Sequence, residues 1–224
     1  MIARIQATLE PLRDPTRALS MAAYMKHHFA FLGIPTPARV AALKPIWKAW
    51  QPTRLELLEL FQDLWACPER EYQYAALVAL ERHWKLLEDV DLERLAVLVA
   101  TEQTWWDTID SFASNVAGGM VQHFRNQGDG GLGELMDAFS VHPNQWLRRI
   151  AILHQLRYHD STDAELLFRY ALENAADSSF WIRKALGWAL RSFAKTDPSA
   201  VLEFMERNDG MFSKLTVREA LKHL

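Results

Sequence analysis

Two short segments of the chain combine tryptophan with charged side chains at helical spacing. In the first segment, Trp106 stands one helical turn before Asp110, and in the second, Lys184 stands one turn before Trp188. Side chains one turn apart share a helix face, so each segment predicts an aromatic ring beside a charged group. An aromatic ring next to a carboxylate, away from a core stripe, indicates a surface that binds a ligand.

The acidic side chains of the first segment have a second interpretation. Asp107 and Asp110 fall on the first two turns of a predicted helix, where the helix dipole favours negative charge. We assign this role to Asp107, and spacing alone favours the same role for Asp110. Trp105 is expected to face the core, whereas Trp106 is expected to lie on a different face of the helix.

Basic side chains gather in the C-terminal half of the chain, although the whole sequence carries a formal charge of −3. Arg148 and Arg149 are either a solvated helix face or a phosphate clamp, because a guanidinium offers several fixed donors to anionic oxygens. Arg183, Lys184 and Arg191 follow on a later segment. This asymmetry permits a polyanion to bind on one side of the molecule.

No pattern in the sequence indicates a metal or a cofactor. Cys67 is the only cysteine, which excludes an internal disulfide and a cysteine-based zinc cluster. The eight histidines lack the spacing of metal ligands. The glycine-rich residues 128–133 lack Gly-Lys-Ser/Thr and a preceding strand, so we expect a flexible loop there rather than a phosphate-binding loop. We therefore expect neither a metal site nor a bound cofactor.

The elements that would position these residues are helices. Apolar residues recur at helical spacing almost throughout, without strand-type alternation. We predict an all-α fold with a single domain over residues 1–224. Pro45 is expected to end or kink the third helix, because its ring clashes with the preceding turn. No segment is typical of a membrane span or a signal sequence, so we expect a soluble, cytoplasmic protein.

Alternate helices of this pattern resemble one another. The segments that begin near Glu71, Trp105, Trp146 and Trp181 open with aromatic residues, continue with polar or charged ones and end in a small apolar run. Their spacing, roughly 34 to 41 residues, is typical of two-helix repeats of the HEAT or armadillo type. We predict a HEAT-like helical repeat solenoid, curved, with a concave face that binds an extended partner.

Several ordered segments, spread over most of the chain, carry a more specific pattern. They are Tyr24–Phe29, Phe31–Ile34, Pro68–Glu71, Trp105–Asp110, Trp146–Arg149 and Ile182–Arg191. Together they resemble the DNA alkylation repair family of HEAT-like helical proteins, the AlkD-type DNA glycosylases.

The resemblance implies that the protein excises cationic N3- and N7-alkylated purines from duplex DNA by hydrolysing the N-glycosidic bond, without a base-flipping pocket. The family's catalytic positions fall on Trp106, Asp110 and Trp188, with Asp110 stabilising the oxocarbenium-like sugar and positioning water. The DNA contacts that the resemblance and the basic segments suggest are Arg149, Arg148, Tyr24, Lys184, Arg183 and Arg191.

Two other functions stay open at this point. A non-catalytic relative would bind distorted DNA, although binding alone would not require the Asp110 carboxylate. A repeat scaffold would bind a peptide along its concave face, and the negative net charge mildly supports it. We predict a monofunctional glycosylase that acts as a monomer on duplex DNA with alkylated bases.

Overall fold

The structure is a computed structural model that describes all residues from 1 to 224. It contains fourteen α-helices and no β-strand, apart from an isolated bridge between Ala30 and Glu69. The prediction of an all-helical fold is therefore confirmed. The packing divides the chain into two compact units, Met1–Leu87 and Glu88–Leu224. The single domain over residues 1–224 stays a prediction, as does the curvature of the solenoid.

The first unit holds five α-helices. They are α1 (Ile2–Leu9), α2 (Pro15–Tyr24), α3 (Thr36–Ala49), α4 (Arg54–Trp65) and α5 (Arg70–His83). The loop before α3 is organised by the buried carboxylate of Glu71 on α5. Its oxygens accept hydrogen bonds from the backbone N–H groups of Leu32, Gly33 and Ile34 at 2.9, 2.9 and 3.0 Å. These bonds fix the backbone that leads into the first turn of α3.

Gly33 is required in that loop for two reasons. Its φ angle of +88° is one that other residues rarely adopt. A β-carbon added there would also lie 2.1 Å from the carbonyl oxygen of Asp14. The loop therefore packs against the start of α2 at a distance that only glycine permits.

Pro45 lies inside α3, and the helix continues past it to Ala49. The expectation that the helix could end at Pro45 is therefore wrong. Proline removes the N–H that would bond the carbonyl of Ala41. Both residues are exposed, so solvent can satisfy that carbonyl.

The second unit holds nine α-helices. They are α6 (Asp89–Thr101), α7 (Trp106–Ser111), α8 (Gly118–Asn126), α9 (Gly131–Ser140), α10 (Gln145–Leu153), α11 (Ala164–Glu173), α12 (Phe180–Phe193), α13 (Pro198–Arg207) and α14 (Lys214–Ala220). A π-helical segment, Phe112–Ala117, joins α7 to α8 without a break. Part of the glycine-rich segment forms the first turn of α9, so the expectation of a loop is wrong from Gly131 onward.

The predicted repeat helices begin within one residue of the expected positions. They are α5, α7, α10 and α12, which start at Arg70, Trp106, Gln145 and Phe180. In the second unit α10 packs against α12, and α12 packs against α14. This stacking of alternate helices is typical of a helical repeat. The helices are too short or too polar to span a membrane.

Candidate active site

The second unit places the Asp110 carboxylate directly against the Arg149 guanidinium. Arg149 Nε donates to Asp110 Oδ1 at 2.6 Å, and Nη2 donates to Oδ2 at 2.9 Å. The third nitrogen, Nη1, donates to the backbone carbonyl of Trp181. Arg149 is only 4% exposed, whereas the Asp110 side chain keeps 13% of its surface in solvent. The pair is thus buried on the arginine side and accessible on the carboxylate side.

Three helix starts bring these groups together. Trp105 is the residue before the first turn of α7, which carries Asp110 one turn further on. The Asn144 side chain caps α10 by accepting from the N–H of Trp146, and Arg149 follows one turn later. Ser179 caps α12 in the same way through the N–H of Trp181, so the Trp181 carbonyl lies in the first turn. Asn and Ser are favoured caps because their side chains satisfy free amides at a helix start.

The aromatic rings around this ion pair form one cluster. Trp181 lies at its centre, with ring centroids 5.2 Å from Trp105, 5.9 Å from Trp146 and 6.4 Å from Trp106. The Trp106 and Trp181 rings are nearly parallel, with 16° between their planes. Trp146 is buried, whereas Trp105, Trp106 and Trp181 are half-buried. The cluster therefore offers aromatic surface to solvent beside the Asp110 carboxylate.

Two opposing effects act on the ionisation of Asp110. Burial raises the pKa of Asp110 above its ordinary value, because a charged carboxylate is poorly solvated there. The hydrogen bonds and the positive charge of Arg149 lower it again. A bidentate contact uses two of the roughly four acceptor positions of a carboxylate. The others stay available to water or to a substrate.

The helix is irregular immediately after Asp110. In the π-helical segment Phe112–Ala117, Ser114 Oγ donates to the Asp110 backbone carbonyl at 2.8 Å. The Asn115 side chain lies one residue further and accepts from Arg157 Nη1. Single π-helical turns inside α-helices occur frequently at functional sites.

Helix α12 carries a stripe of side chains that starts at this cluster. Trp181, Lys184, Trp188 and Arg191 follow one another at three- and four-residue spacing, so they share one face of the helix. Trp188 is 37% exposed and lies about 10 Å along the helix axis from Trp181, at 1.5 Å per residue. The structure thus joins Asp110 to Arg149 directly, with Trp106 one turn before Asp110 on α7, and places Trp188 two turns away on the helix that supplies Trp181.

Glu219 of α14 pairs with both basic residues of the stripe. Its carboxylate accepts from Lys184 Nζ at 3.0 Å and from Arg191 Nη1 at 2.9 Å. The hydrogen bonds from Arg191 and then Lys184 lower the pKa of Glu219 to about 2. Both cations stay partly exposed, at 37% for Lys184 and 20% for Arg191.

Arg148 faces away from Asp110, although it is adjacent to Arg149 in sequence. Its Nη1 donates to the backbone carbonyls of His142 and Pro143, and its Nη2 pairs with Asp177 at 2.7 Å. Arg183 Nε donates to the Asp177 carbonyl at 2.7 Å. These contacts hold the loop before α12 against the start of α10.

Tyr24 lies in the first unit, where it is the last residue of α2 and 73% exposed. No group of three or more His, Cys, Asp or Glu side chains is arranged to hold a metal ion.

Sequence reasoning missed two residues of this site. Trp181 contacts Arg149 through its backbone carbonyl, and Glu219 pairs with Lys184 and Arg191 from a distant helix. The parallel between the Trp105-Trp106 and Phe180-Trp181 segments was the available signal for Trp181. No local pattern pointed to Glu219.

Comparison with known proteins places this chain in a family. A predicted DNA alkylation repair enzyme from Enterococcus faecalis has a similar structure, with 31% sequence identity and a TM-score of 0.84. The similarity covers 95% of this chain and 96% of that one. No curated protein matches the sequence. The family model described as DNA alkylation repair enzyme matches residues 5–224. The chain therefore belongs to the DNA alkylation repair enzyme family.

Proposed function

We propose that the protein is a DNA glycosylase that excises cationic N3- and N7-alkylated purines from duplex DNA by hydrolysing the N-glycosidic bond. The observation that carries this proposal is the Asp110 carboxylate, oriented by Arg149 and accessible to solvent one helical turn after Trp106. Membership of the DNA alkylation repair enzyme family supports the same substrate class.

The chemistry of these substrates suits the side chains present. Alkylation at N3 or N7 already makes the purine a cation, which departs as a neutral base, so no general acid is needed. Positive charge then develops on the deoxyribose. A fixed carboxylate and the electron-rich faces of Trp106 and Trp188 stabilise such charge where it appears. Asp110 also accepts a proton from the attacking water.

Arg149 acts in this proposal as a positioning residue. Its guanidinium donates to both carboxylate oxygens, so the Asp110 side chain does not need to reorient as the sugar becomes cationic. It also favours the ionised carboxylate in a site where burial disfavours charge. With Nε, Nη1 and Nη2 all engaged, Arg149 is less suited to clamp a phosphate than the sequence suggested.

The DNA backbone would be held by the remaining basic residues. Lys184 and Arg191 are partly exposed on the α12 stripe, beside Trp188. Phosphate contacts of this kind position a duplex without reading its sequence, and they weaken as salt rises. Arg183 and Tyr24 are further candidates, while the contacts of Arg148 assign it to the support of α12.

The site around Asp110 and the Lys184–Glu219 pair favour a monofunctional enzyme. This enzyme would be selective for charged lesions. The Lys184 ammonium is engaged by Glu219, so it is not presented as an amine nucleophile for strand cleavage. Selectivity would come from the lability of the cationic adducts, without a base-flipping pocket at Asp110. Neutral damaged bases should then be poor substrates. We propose that the enzyme acts as a cytoplasmic monomer.

Release of free base from a defined lesion tests the proposal. The protein is incubated with a duplex that carries one N7-methylguanine, and both free base and alkali-labile abasic sites are measured. We expect release by the wild type and a rate about 10²- to 10³-fold lower for Asp110→Asn, since a preorganised charge of this kind contributes about 3 to 4 kcal/mol.

Asp137→Asn is the matched control, because Asp137 also pairs with an arginine, Arg169, at 2.6 Å but on the exposed surface. Its rate should equal that of the wild type. DNA binding without release of base by the wild type would favour a non-catalytic DNA-binding protein. Equal rates for Asp110→Asn and wild type would remove Asp110 from the mechanism.

A further inference from the structure

The first unit contains a cavity that the proposed reaction does not use. It is an open concavity of about 370 Å³ between α2, the loop before α3, α3 and α5. Its apolar walls come from Met21, Met25, Phe31 and the Tyr74 ring. Small-molecule sites are typically mostly apolar cavities of about 300 to 1,000 Å³ with a few polar groups. This cavity has the size and lining of such a site.

A single buried cation lines the cavity. Arg39 of α3 is 7% exposed, and its guanidinium lies over the Tyr74 ring, 4.5 Å from the centroid. Its Nη1 is buried and has no hydrogen-bond partner. Burial lowers the pKa of Arg39, which reflects the poor solvation of its charge. An unpaired buried charge is costly to the fold, so its presence indicates a role other than stability.

No carboxylate of the chain forms an ion pair with this guanidinium. The charge of Glu71 reaches Arg39, but both Glu71 oxygens are engaged by the N–H groups of Leu32, Gly33 and Ile34. The Arg39 guanidinium therefore has a negative charge nearby but no carboxylate in direct contact.

The start of α3 adds to the positive potential. Pro35 precedes the helix and offers no side-chain cap, and the first turn contains no acidic residue. Free amides at a helix start carry partial positive charge and favour anions. Thr36, in the first turn, and Ser20, on α2, bring hydroxyl groups to the rim of the cavity.

We propose that this cavity binds one unpaired nucleotide, with its phosphate on Arg39 and the α3 start and its base against the apolar walls. A phosphate alone would leave most of the 370 Å³ unfilled, whereas a nucleotide adds a flat base that would lie against the apolar walls, beside Phe31 and Tyr74. Tyr24, 73% exposed, lines the mouth of the cavity and offers a ring for a neighbouring base. The choice of a nucleotide rests on the proposed action on DNA, but the site is separate from the Asp110 chemistry.

The test uses the full chain labelled with ¹³C at the methionine methyl groups. Deoxyadenosine 5′-monophosphate, deoxyadenosine and inorganic phosphate are titrated separately, and the Met21 and Met25 methyl signals are followed by NMR. Each signal is assigned from a Met→Leu variant. We expect saturable shifts with the nucleotide and at least tenfold weaker binding of deoxyadenosine and of phosphate.

Two variants separate a binding role of Arg39 from a structural one. Arg39→Met keeps the volume and removes the unpaired charge, so it should raise the thermal midpoint and weaken nucleotide binding about 10- to 100-fold, the loss typical of a charged hydrogen bond. Tyr24→Ala changes an exposed residue and should weaken binding severalfold without lowering the midpoint.

Absence of saturable shifts with the nucleotide, or unchanged binding by Arg39→Met, would overturn the proposal. Equal affinity for phosphate and nucleotide would also overturn it, in favour of a simple anion site. Asp110→Asn should bind the nucleotide as tightly as wild type. A failed nucleotide titration with intact base release would therefore refute this site and leave the glycosylase proposal standing.

Discussion

Gly187 of α12 and Glu219 of α14 lie so close that a β-carbon added to Gly187 would stand 2.4 Å from the Glu219 β-carbon. The same added atom would lie 2.9 Å from the carbonyl oxygen of Thr216. The missing side chain lets α14 pack directly on α12. Glu219 thereby reaches both Lys184 and Arg191.

Gly187→Ala should therefore destabilise the protein. Alanine favours a helix interior by up to about 1 kcal/mol over glycine. The clash with α14 involves backbone as well as side-chain atoms, and overpacking of this kind costs about 1 to 3 kcal/mol. We expect a net loss in the free energy of unfolding, measured by urea denaturation.

Gly133→Ala is the control for this experiment. Gly133 also lies in a helix, α9, but a β-carbon there would meet no atom within 4 Å. This substitution should leave the stability unchanged or raise it. If Gly187→Ala behaved like Gly133→Ala, the close packing of α12 and α14 would be wrong.

Arg149→Met should shift the pH dependence of base release. In the proposed mechanism Asp110 acts in its ionised form, and burial already raises its pKa. An opposite charge within about 4 to 6 Å lowers a carboxyl pKa by about one to three units, so the loss of Arg149 should raise it further. The acid limb of the rate profile should then move to higher pH. Single-turnover base release over a pH series measures this shift.

Two control variants, Arg149→Lys and Arg169→Met, show whether the pH shift comes from the charge and the geometry of Arg149. Lysine keeps the charge but loses the two-pronged contact, so its acid limb should move less than that of Arg149→Met. Arg169 pairs with Asp137 on the surface, and its loss should leave the profile unchanged. An acid limb that stays in place in Arg149→Met would argue that Asp110 does not titrate in the reaction.

His154 should make the fold sensitive to mild acid. The side chain is 1% exposed, and its Nδ1 lies 2.6 Å from the Ala151 carbonyl. Burial lowers the pKa of His154 to about 4, whereas an unfolded histidine has a pKa near 6.5. The unfolded state therefore binds the extra proton first as the pH falls. The contribution of neutral His154 to the free energy of unfolding is therefore fully present above about pH 6.5 and is lost as the pH falls towards 4.

His154→Gln removes this titration. The difference in the free energy of unfolding between pH 7 and pH 5 should be smaller in the variant than in the wild type, as measured by urea denaturation at each pH. His223→Gln changes an exposed histidine and should keep the wild-type pH dependence. Identical pH dependence in His154→Gln and wild type would show that His154 is not buried in its neutral form.

The helix starts could be predicted because their signals are local. Asn144 and Ser179 cap α10 and α12 through their own neighbours in sequence. The aromatic segments that follow them repeat at regular spacing, so the order of the helices was readable before their packing was known. Trp106 and Asp110 share a helix face for the same local reason.

The partners of the site residues depend on packing between distant segments. Arg148 and Arg149 are adjacent, and local sequence does not determine which guanidinium meets Asp110, 39 residues away in the sequence. Trp181 contributes a backbone carbonyl, which no side-chain pattern encodes. A lone arginine such as Arg39 reads as a surface residue, and only the packing of α3 buries it.

The π-helical segment Phe112–Ala117 carries the backbone directly behind Asp110. Such a segment accommodates one extra residue, and each residue of a helix turns the chain by about 100°. Deletion of one residue here would turn α7, and Asp110 with it, relative to α8 by about that angle. In the proposed mechanism, one residue of helical register would therefore separate an enzyme that hydrolyses the glycosidic bond from a protein that only binds DNA.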